Sequence, residues 1–175
     1  LMHQSLGLGA MLDCSRGAVM HLPALKRYID LLAKMGYKTL MLYTEDTYEI
    51  EEEPYFGYRR GKYTVKELRE VDAYAAERGI ELMPCIQTLA HLDGLMRWSR
   101  FRPFLDTDNI LLVDDDRTYE LIEHMFASLE KSFTSRRVHI GMDEAYRVGL
   151  GKFLAEHGFE NRTEILLRHL SRVTE

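Results

Sequence analysis

The hydrophobic positions of this 175-residue chain change period repeatedly along its length, and each change marks an element. Ala10-Met11-Leu12-Asp13-Cys14 reads as a first strand. Leu22, Leu25, Ile29, Leu32 and Ala33 then recur at helical spacing, in a helix opened by Pro23 and closed at Gly36. Thr39-Leu40-Met41-Leu42-Tyr43 is almost continuously apolar, as a strand covered on both faces should be. A second helix starts with Thr64 and Glu67, the two ends of a capping box. It turns Leu68, Val71 and Ala75 inward and stops at Gly79. Leu82-Met83-Pro84-Cys85-Ile86 is a third strand, whose proline predicts a bulge or an unpaired donor position. A third helix runs from Thr118 to about Phe133, with Leu121, Ile122, Met125 and Leu129 on its inner face. Val138-His139-Ile140-Gly141-Met142 is a fourth strand, and Asn161 with Glu164 begins a last helix.

Strand and helix thus alternate about four times, which predicts an α/β protein with a parallel sheet and right-handed crossovers. A doubly wound sheet and part of a (β/α)8 barrel both satisfy that alternation. No Gly-rich phosphate loop follows the first strand, which weighs against the dinucleotide-binding version. The segments after the strands, 44–63, 88–116 and 143–160, are long and chemically loaded. Those after the helices, such as Gly36-Tyr37-Lys38 and Arg78-Gly79, are short. That asymmetry predicts a TIM barrel, which carries its site on the loops at the C-terminal ends of the strands. A complete barrel takes about 250 residues. Residues 1–175 therefore read as one partial domain, the first half of a barrel, with strands one to four and their helices.

Composition narrows the possible partners. The chain is 46% hydrophobic and 29% charged, as an ordinary globular protein is. Its net charge of −5 weighs against nucleic acid, and Arg59-Arg60 and Arg136-Arg137 read as solvated loop charges. No apolar run approaches the roughly 20 residues that cross a bilayer, so no membrane partner is expected. The opening residues, Leu1 to Gly7, lack the basic start and cleavage site of a signal peptide. The compartment stays open, with a slight preference for the cytoplasm. Cys14 and Cys85 are too few for a disulfide framework and read as small buried thiols. The sequence has no His-Glu-x-x-His pattern and no assembled ligand set, so no metal or cofactor is expected.

Asp143 and Glu144 directly follow the fourth strand, where a barrel places catalytic groups. Neighbours along a strand point apart, so two adjacent carboxylates at its end can occupy different environments and hold different protonation states. An arbitrary Asp-Glu pair is a solvated strand end or a helix cap; this one earns attention from its place. Asp13, Ser15 and Arg16 lie just beyond the first strand, Glu45 and Asp46 beyond the second, and His91 beyond the third. Polar groups thereby converge at one end of consecutive strands. The long loops also carry Tyr48, Tyr55, Phe56, Tyr58, Tyr63 and Trp98. Such aromatics suit the apolar faces of sugar rings, and equally suit packing that stiffens long insertions.

These residues resemble the family 20 glycoside hydrolases, the β-N-acetylhexosaminidases. His139-Ile140-Gly141-Met142-Asp143-Glu144 is similar to the family's His-x-Gly-Gly-Asp-Glu strand end. Met11-Leu12-Asp13-Cys14-Ser15-Arg16, Leu42-Tyr43-Thr44-Glu45-Asp46 and Leu89-Ala90-His91 match its first three strands in order. The resemblance implies a retaining exo-β-N-acetylhexosaminidase acting on glycans with a terminal N-acetylhexosamine. In that mechanism the substrate's own 2-acetamido oxygen is the nucleophile, an exception to the two-carboxylate schemes. Glu144 would be the general acid and then base, Asp143 would hold the acetamido N–H, and Asp46 with His91 would form a supporting pair. Leu8 stands where the family has a sugar-binding arginine, and Met142 where it has a second glycine. The pocket tryptophans and tyrosine that the family draws from later strands are not in this sequence. A half-barrel alone is therefore expected to be inactive and to self-associate through its open sheet edges. Two other readings stay open: a non-catalytic carbohydrate-binding or interaction protein on the same scaffold, and a barrel glycosidase with a protein nucleophile.

Overall fold

Three strands, β1 (Gly9–Asp13), β2 (Thr39–Tyr43) and β3 (Glu81–Cys85), pair in parallel in the order β1-β2-β3. The structure is a computed structural model that describes residues 7–17 and 19–175. Residues 1–6, most of the segment read for a signal peptide, lie outside the described residues. Helices α1 (Leu22–Lys34) and α2 (Val65–Ala76) make the crossovers, and α3 (Asp116–Ser132), α4 (Lys152–His157) and α5 (Arg162–Thr174) follow. Each element foreseen as a helix forms within three residues of its expected bounds. The short α4 has no counterpart in the sequence reading, because so few residues display no period. No helix among the described residues is long and apolar enough to cross a membrane.

The strand register sorts the side chains into rows. Ala10, Leu40 and Leu82, then Leu12, Leu42 and Pro84, lie on one face; Met11, Met41 and Met83, then Asp13, Tyr43 and Cys85, lie on the other. Leu40, Leu42 and Leu82 join Leu25, Ile29 and Leu32 of α1 and Leu68, Val71 and Ala75 of α2 in one buried core. Burying each large aliphatic side chain there contributes about 1.5–3 kcal/mol. The methionine row is only partly covered, and Met11 is 49% exposed. The apolar run of β2 predicted cover on both faces; among the described residues only one face is closed.

Pro84 keeps its place in the ladder opposite Leu42, without a bulge. Its carbonyl accepts from the His139 N–H at 3.0 Å. Its missing N–H falls opposite the Arg137 carbonyl, which instead accepts from the Ser135 hydroxyl at 3.1 Å. The unpaired donor is thus the form its compensation takes. The expected fourth strand shrinks to a single bridge between Cys85 and His139. Pro84 has no donor to extend that bridge backwards. Beyond it, Gly141 and Met142 take φ values of 76° and 84°, which turn the chain out of the extended conformation.

A buried histidine ties α5 to the end of β3. His169 is fully buried, with Nε2 3.0 Å from the Thr88 carbonyl and Nδ1 3.1 Å from the Tyr119 hydroxyl. A carbonyl only accepts, so Nε2 carries the proton and Nδ1 accepts from the tyrosine. Burial pushes this imidazole down to about 4. The unfolded chain, with histidine near 6.5, then takes up a proton that the folded chain refuses. Stability present above pH 6.5 should fall as the pH drops towards 4, by about 3 kcal/mol at most. Urea unfolding at pH 7 and pH 4.5 measures this. The drop should be smaller in His169→Gln, and an equal drop in both proteins would refute the assignment.

Candidate active site

Side chains from the ends of β1, β2 and β3 and from the segment after the His139 bridge join in a continuous hydrogen-bonded chain. Arg16 Nη1 donates to Glu45 Oε1 at 2.5 Å, and the Tyr43 hydroxyl donates to the same oxygen at 3.2 Å. Gln87 Nε2 donates to Tyr43 Oη at 2.9 Å and to Asp143 Oδ1 at 2.8 Å. The Met142 N–H donates to Gln87 Oε1 at 3.2 Å. A backbone N–H can only donate, so it fixes which end of the Gln87 amide faces Asp143. Gln87 is completely buried, and Glu45 nearly so. Burial pushes the Glu45 carboxyl up against the pull of Arg16, and pushes Tyr43 up to about 12. The hydrogen bond from Gln87 holds Asp143 below the ordinary carboxylate range, against a smaller opposing effect of burial.

Asp143 and Glu144 lie at the open side of this chain, with side chains 60% and 58% exposed. His91 Nε2 is 3.5 Å from a carboxylate oxygen of each, and among the described residues makes no hydrogen bond of good geometry. Among the described residues no hydrogen bond reaches the Glu144 carboxyl, whereas Asp143 is gripped by Gln87. The adjacent carboxylates therefore occupy unlike settings, one held as an acceptor by Gln87 and one without a hydrogen bond from the described residues.

The backbone here is bent into the left-handed region at His91 (φ 58°), Gly141 (76°), Met142 (84°) and Glu144 (53°). Non-glycine residues seldom adopt that conformation, and each such residue costs on the order of 1–3 kcal/mol. Met142 thus carries a turn that suits glycine, at the position where the resembling motif has one. Gly141 admits no side chain: a Cβ there would collide with Gln87 Oε1 and lie 2.6 Å from the Ile86 carbonyl.

The expected pairing of Asp46 with His91 is not formed, since no hydrogen bond or ion pair joins them. Asp46 is buried and pairs with Arg60 at 3.2 Å. It is clamped where Cβ atoms on Gly57 and Gly94 would strike its backbone oxygen and its carboxylate. Burial pushes its carboxyl up, opposed by Arg60. Asp13 is engaged locally, its Oδ1 accepting from the N–H and hydroxyl of Ser15 at 2.8 and 2.7 Å. Leu8 lies at the opposite end of β1 from the site, its carbonyl accepting from the Lys38 N–H at 2.8 Å. The thiols of Cys14 and Cys85 are both free and buried, and burial pushes each up to about 11. Tyr43 and Gln87 escaped the sequence reading. Their trace was a tyrosine and an amide at the ends of apolar strands, without the charge that singled out the acids.

The model of the glycosyl hydrolase family 20 catalytic domain matches residues 8–170. A β-hexosaminidase of Vibrio furnissii is 34% identical over 133 residues, covering 66% of this chain and 22% of that protein. The solved GH20 β-N-acetylhexosaminidase from Streptomyces coelicolor aligns with 95% of this chain at a TM-score of 0.78 and 24% identity. The GH20 exo-β-N-acetylglucosaminidase from Vibrio harveyi aligns with 95% at a TM-score of 0.77 and 22% identity. This chain covers 36% and 33% of those two chains. At such identities they show a shared fold. The chain spans well under half the length of each of these relatives.

Proposed function

Because the chain belongs to glycosyl hydrolase family 20, we propose that it is the first half of the catalytic barrel of a retaining exo-β-N-acetylhexosaminidase. The observation that carries this reading is the unlike setting of Asp143 and Glu144. The reaction needs one carboxylate that stays ionised and one carboxyl that exchanges a proton.

The acetamido oxygen of the terminal sugar attacks C1 as the glycosidic C–O bond breaks, and Glu144 gives its proton to the leaving oxygen. An oxazolinium ion results, whose positive charge and N–H are met by the ionised Asp143. Glu144, now a carboxylate, takes a proton from water as the water oxygen adds to C1. The ring opens to the N-acetylhexosamine with its configuration retained. His91, 3.5 Å from both acids, stands within reach of each. Asp46 acts through Arg60 and the loops packed on it rather than through the imidazole.

The half-barrel reading is supported by the partly covered methionine row and the exposed edge of β1. It is also supported by an apolar groove between α3 and the end of α5, lined by Ile122, Phe126, Phe133, Val138 and Val173. Further strands would close those surfaces, and copies of the short chain would pair through them.

Turnover of aryl β-N-acetylglucosaminide and aryl β-glucoside by the natural protein tests the mechanism. The first should be hydrolysed and the second, which lacks the acetamido nucleophile, should not. The 175 residues alone should turn over little of either. Comparable rates on both substrates would refute acetamido participation.

A further inference from the structure

Asp106 lies in the loop after β3, the loop that also bears His91, and its carboxylate is wholly engaged by the backbone that follows Glu144. Oδ2 accepts from the Gly149 N–H at 2.6 Å, and Oδ1 from the N–H groups of Gly151 and Phe153 at 3.1 and 2.9 Å. The Asp106 carbonyl accepts from the Lys152 N–H at 3.1 Å, and a Cβ on Gly151 would strike that carbonyl. Asp106 is only 5% exposed, and a buried carboxylate is tolerated only where donors such as these meet it.

Short turns connect Glu144 to this anchor. The Tyr146 N–H donates to the Glu144 carbonyl at 2.7 Å, the Val148 N–H to the Ala145 carbonyl at 3.2 Å, and the Leu150 N–H to the Arg147 carbonyl at 3.1 Å. Ala145 and Val148 share a buried cluster with Leu89 and Ala90, the two residues before His91. Glu144 itself holds a left-handed φ of 53°, which persists only where the surroundings impose it. Apolar packing has no direction, whereas three N–H groups converging on one carboxylate fix the register of one loop against the other. Other side-chain ties between these segments, Arg147 to Asp108 and Lys152 to the carbonyls of Arg102 and Pro103, lie at the surface.

We propose that Asp106 is a positioning residue of the reaction, which sets where Glu144 stands by fixing the loop behind it to the loop that bears His91. The proposal rests on the hydrolase reading above. Asp106 acts through Glu144 and touches no substrate. Of the two acids Glu144 depends on it more, because Asp143 is already gripped by Gln87.

In the natural protein, Asp106→Asn keeps the shape of the side chain but turns an amide NH₂ toward N–H groups that need an acceptor. A displacement of about 1 Å at a reacting group can cost about 100-fold. The variant should lose about 10- to 100-fold in kcat/KM on a methylumbelliferyl β-N-acetylglucosaminide, whose leaving oxygen needs a proton. On a dinitrophenyl glycoside, whose leaving group departs unprotonated, the loss should stay within about threefold. A role in stability alone would lower the melting temperature and reduce both rates alike. Equal losses, or none, would overturn the proposal. Asp108→Ala, which breaks only the surface tie, should stay within about twofold on both substrates. The same split there would overturn the assignment to Asp106. Should the asparagine variant not fold, Asp106→Ser, which keeps one acceptor oxygen, carries the same comparison. Hydrogen exchange needs no variant: the amides of Gly149, Gly151 and Phe153 should exchange slowly in the natural protein, and exchange as fast as in an unfolded peptide would also overturn the anchor. A natural protein that hydrolyses neither glycoside refutes the hydrolase reading and leaves the slow amides standing. One that hydrolyses both, with the ratio unchanged in the variant, refutes the role of Asp106 alone.

Discussion

Glu144→Gln in the natural protein should lower turnover of an aryl β-N-acetylglucosaminide by about 10²- to 10⁴-fold, the range for losing a general acid–base. The amide matches the carboxyl in shape but has no proton to give to a leaving oxygen. No hydrogen bond from the described residues reaches the Glu144 carboxyl, so the substitution leaves no partner stranded. The melting temperature and the KM should therefore stay close to the parent's while kcat collapses. The loss should shrink on a dinitrophenyl glycoside, whose leaving group departs without protonation. A variant within tenfold of the parent on the less activated substrate would remove Glu144 from the reaction.

Gln87→Leu should have the next largest effect, for a reason that its neutral side chain conceals. It leaves the Met142 N–H without its acceptor and takes from Asp143 the donor that holds it ionised. An unsatisfied buried donor costs about 1–3 kcal/mol, and a loss of that size at the site corresponds to roughly 5- to 150-fold in kcat/KM. The pH profile separates positioning from mere stability. With Gln87 present, Asp143 stays ionised to below the ordinary aspartate range, and the function that needs its charge fails only as the pH falls through that lowered value. Without Gln87 the acid limb of kcat/KM should move to higher pH. Gln87→Glu, which places a second carboxylate beside Asp143, should move it further the same way. A purely structural role would lower the melting temperature and leave the limb where it was.

Whatever depends on neighbouring residues could be read from the sequence. The capping box forms as expected, Glu67 accepting from the Thr64 N–H at 2.8 Å while Thr64 Oγ1 accepts from the Glu67 N–H at 3.2 Å. The three paired strands and their crossovers follow from hydrophobic period alone, and the strand-end Asp143–Glu144 pair from its place after an apolar run. Only the tertiary structure decided how far-apart segments meet. The Arg16–Glu45, Gln87–Tyr43 and Gln87–Asp143 contacts join residues 29, 44 and 56 positions apart. No local period encodes such distances. The same holds for the fourth strand, cut to one bridge by a proline on its neighbour and a left-handed turn of its own. Asp46 likewise pairs with Arg60 because two glycines let the loops close on it. Local preference sets which residues form strands and which acids stand at their ends. Packing between distant segments sets which carboxylate is gripped and which is left free, and the proposed chemistry depends on that difference.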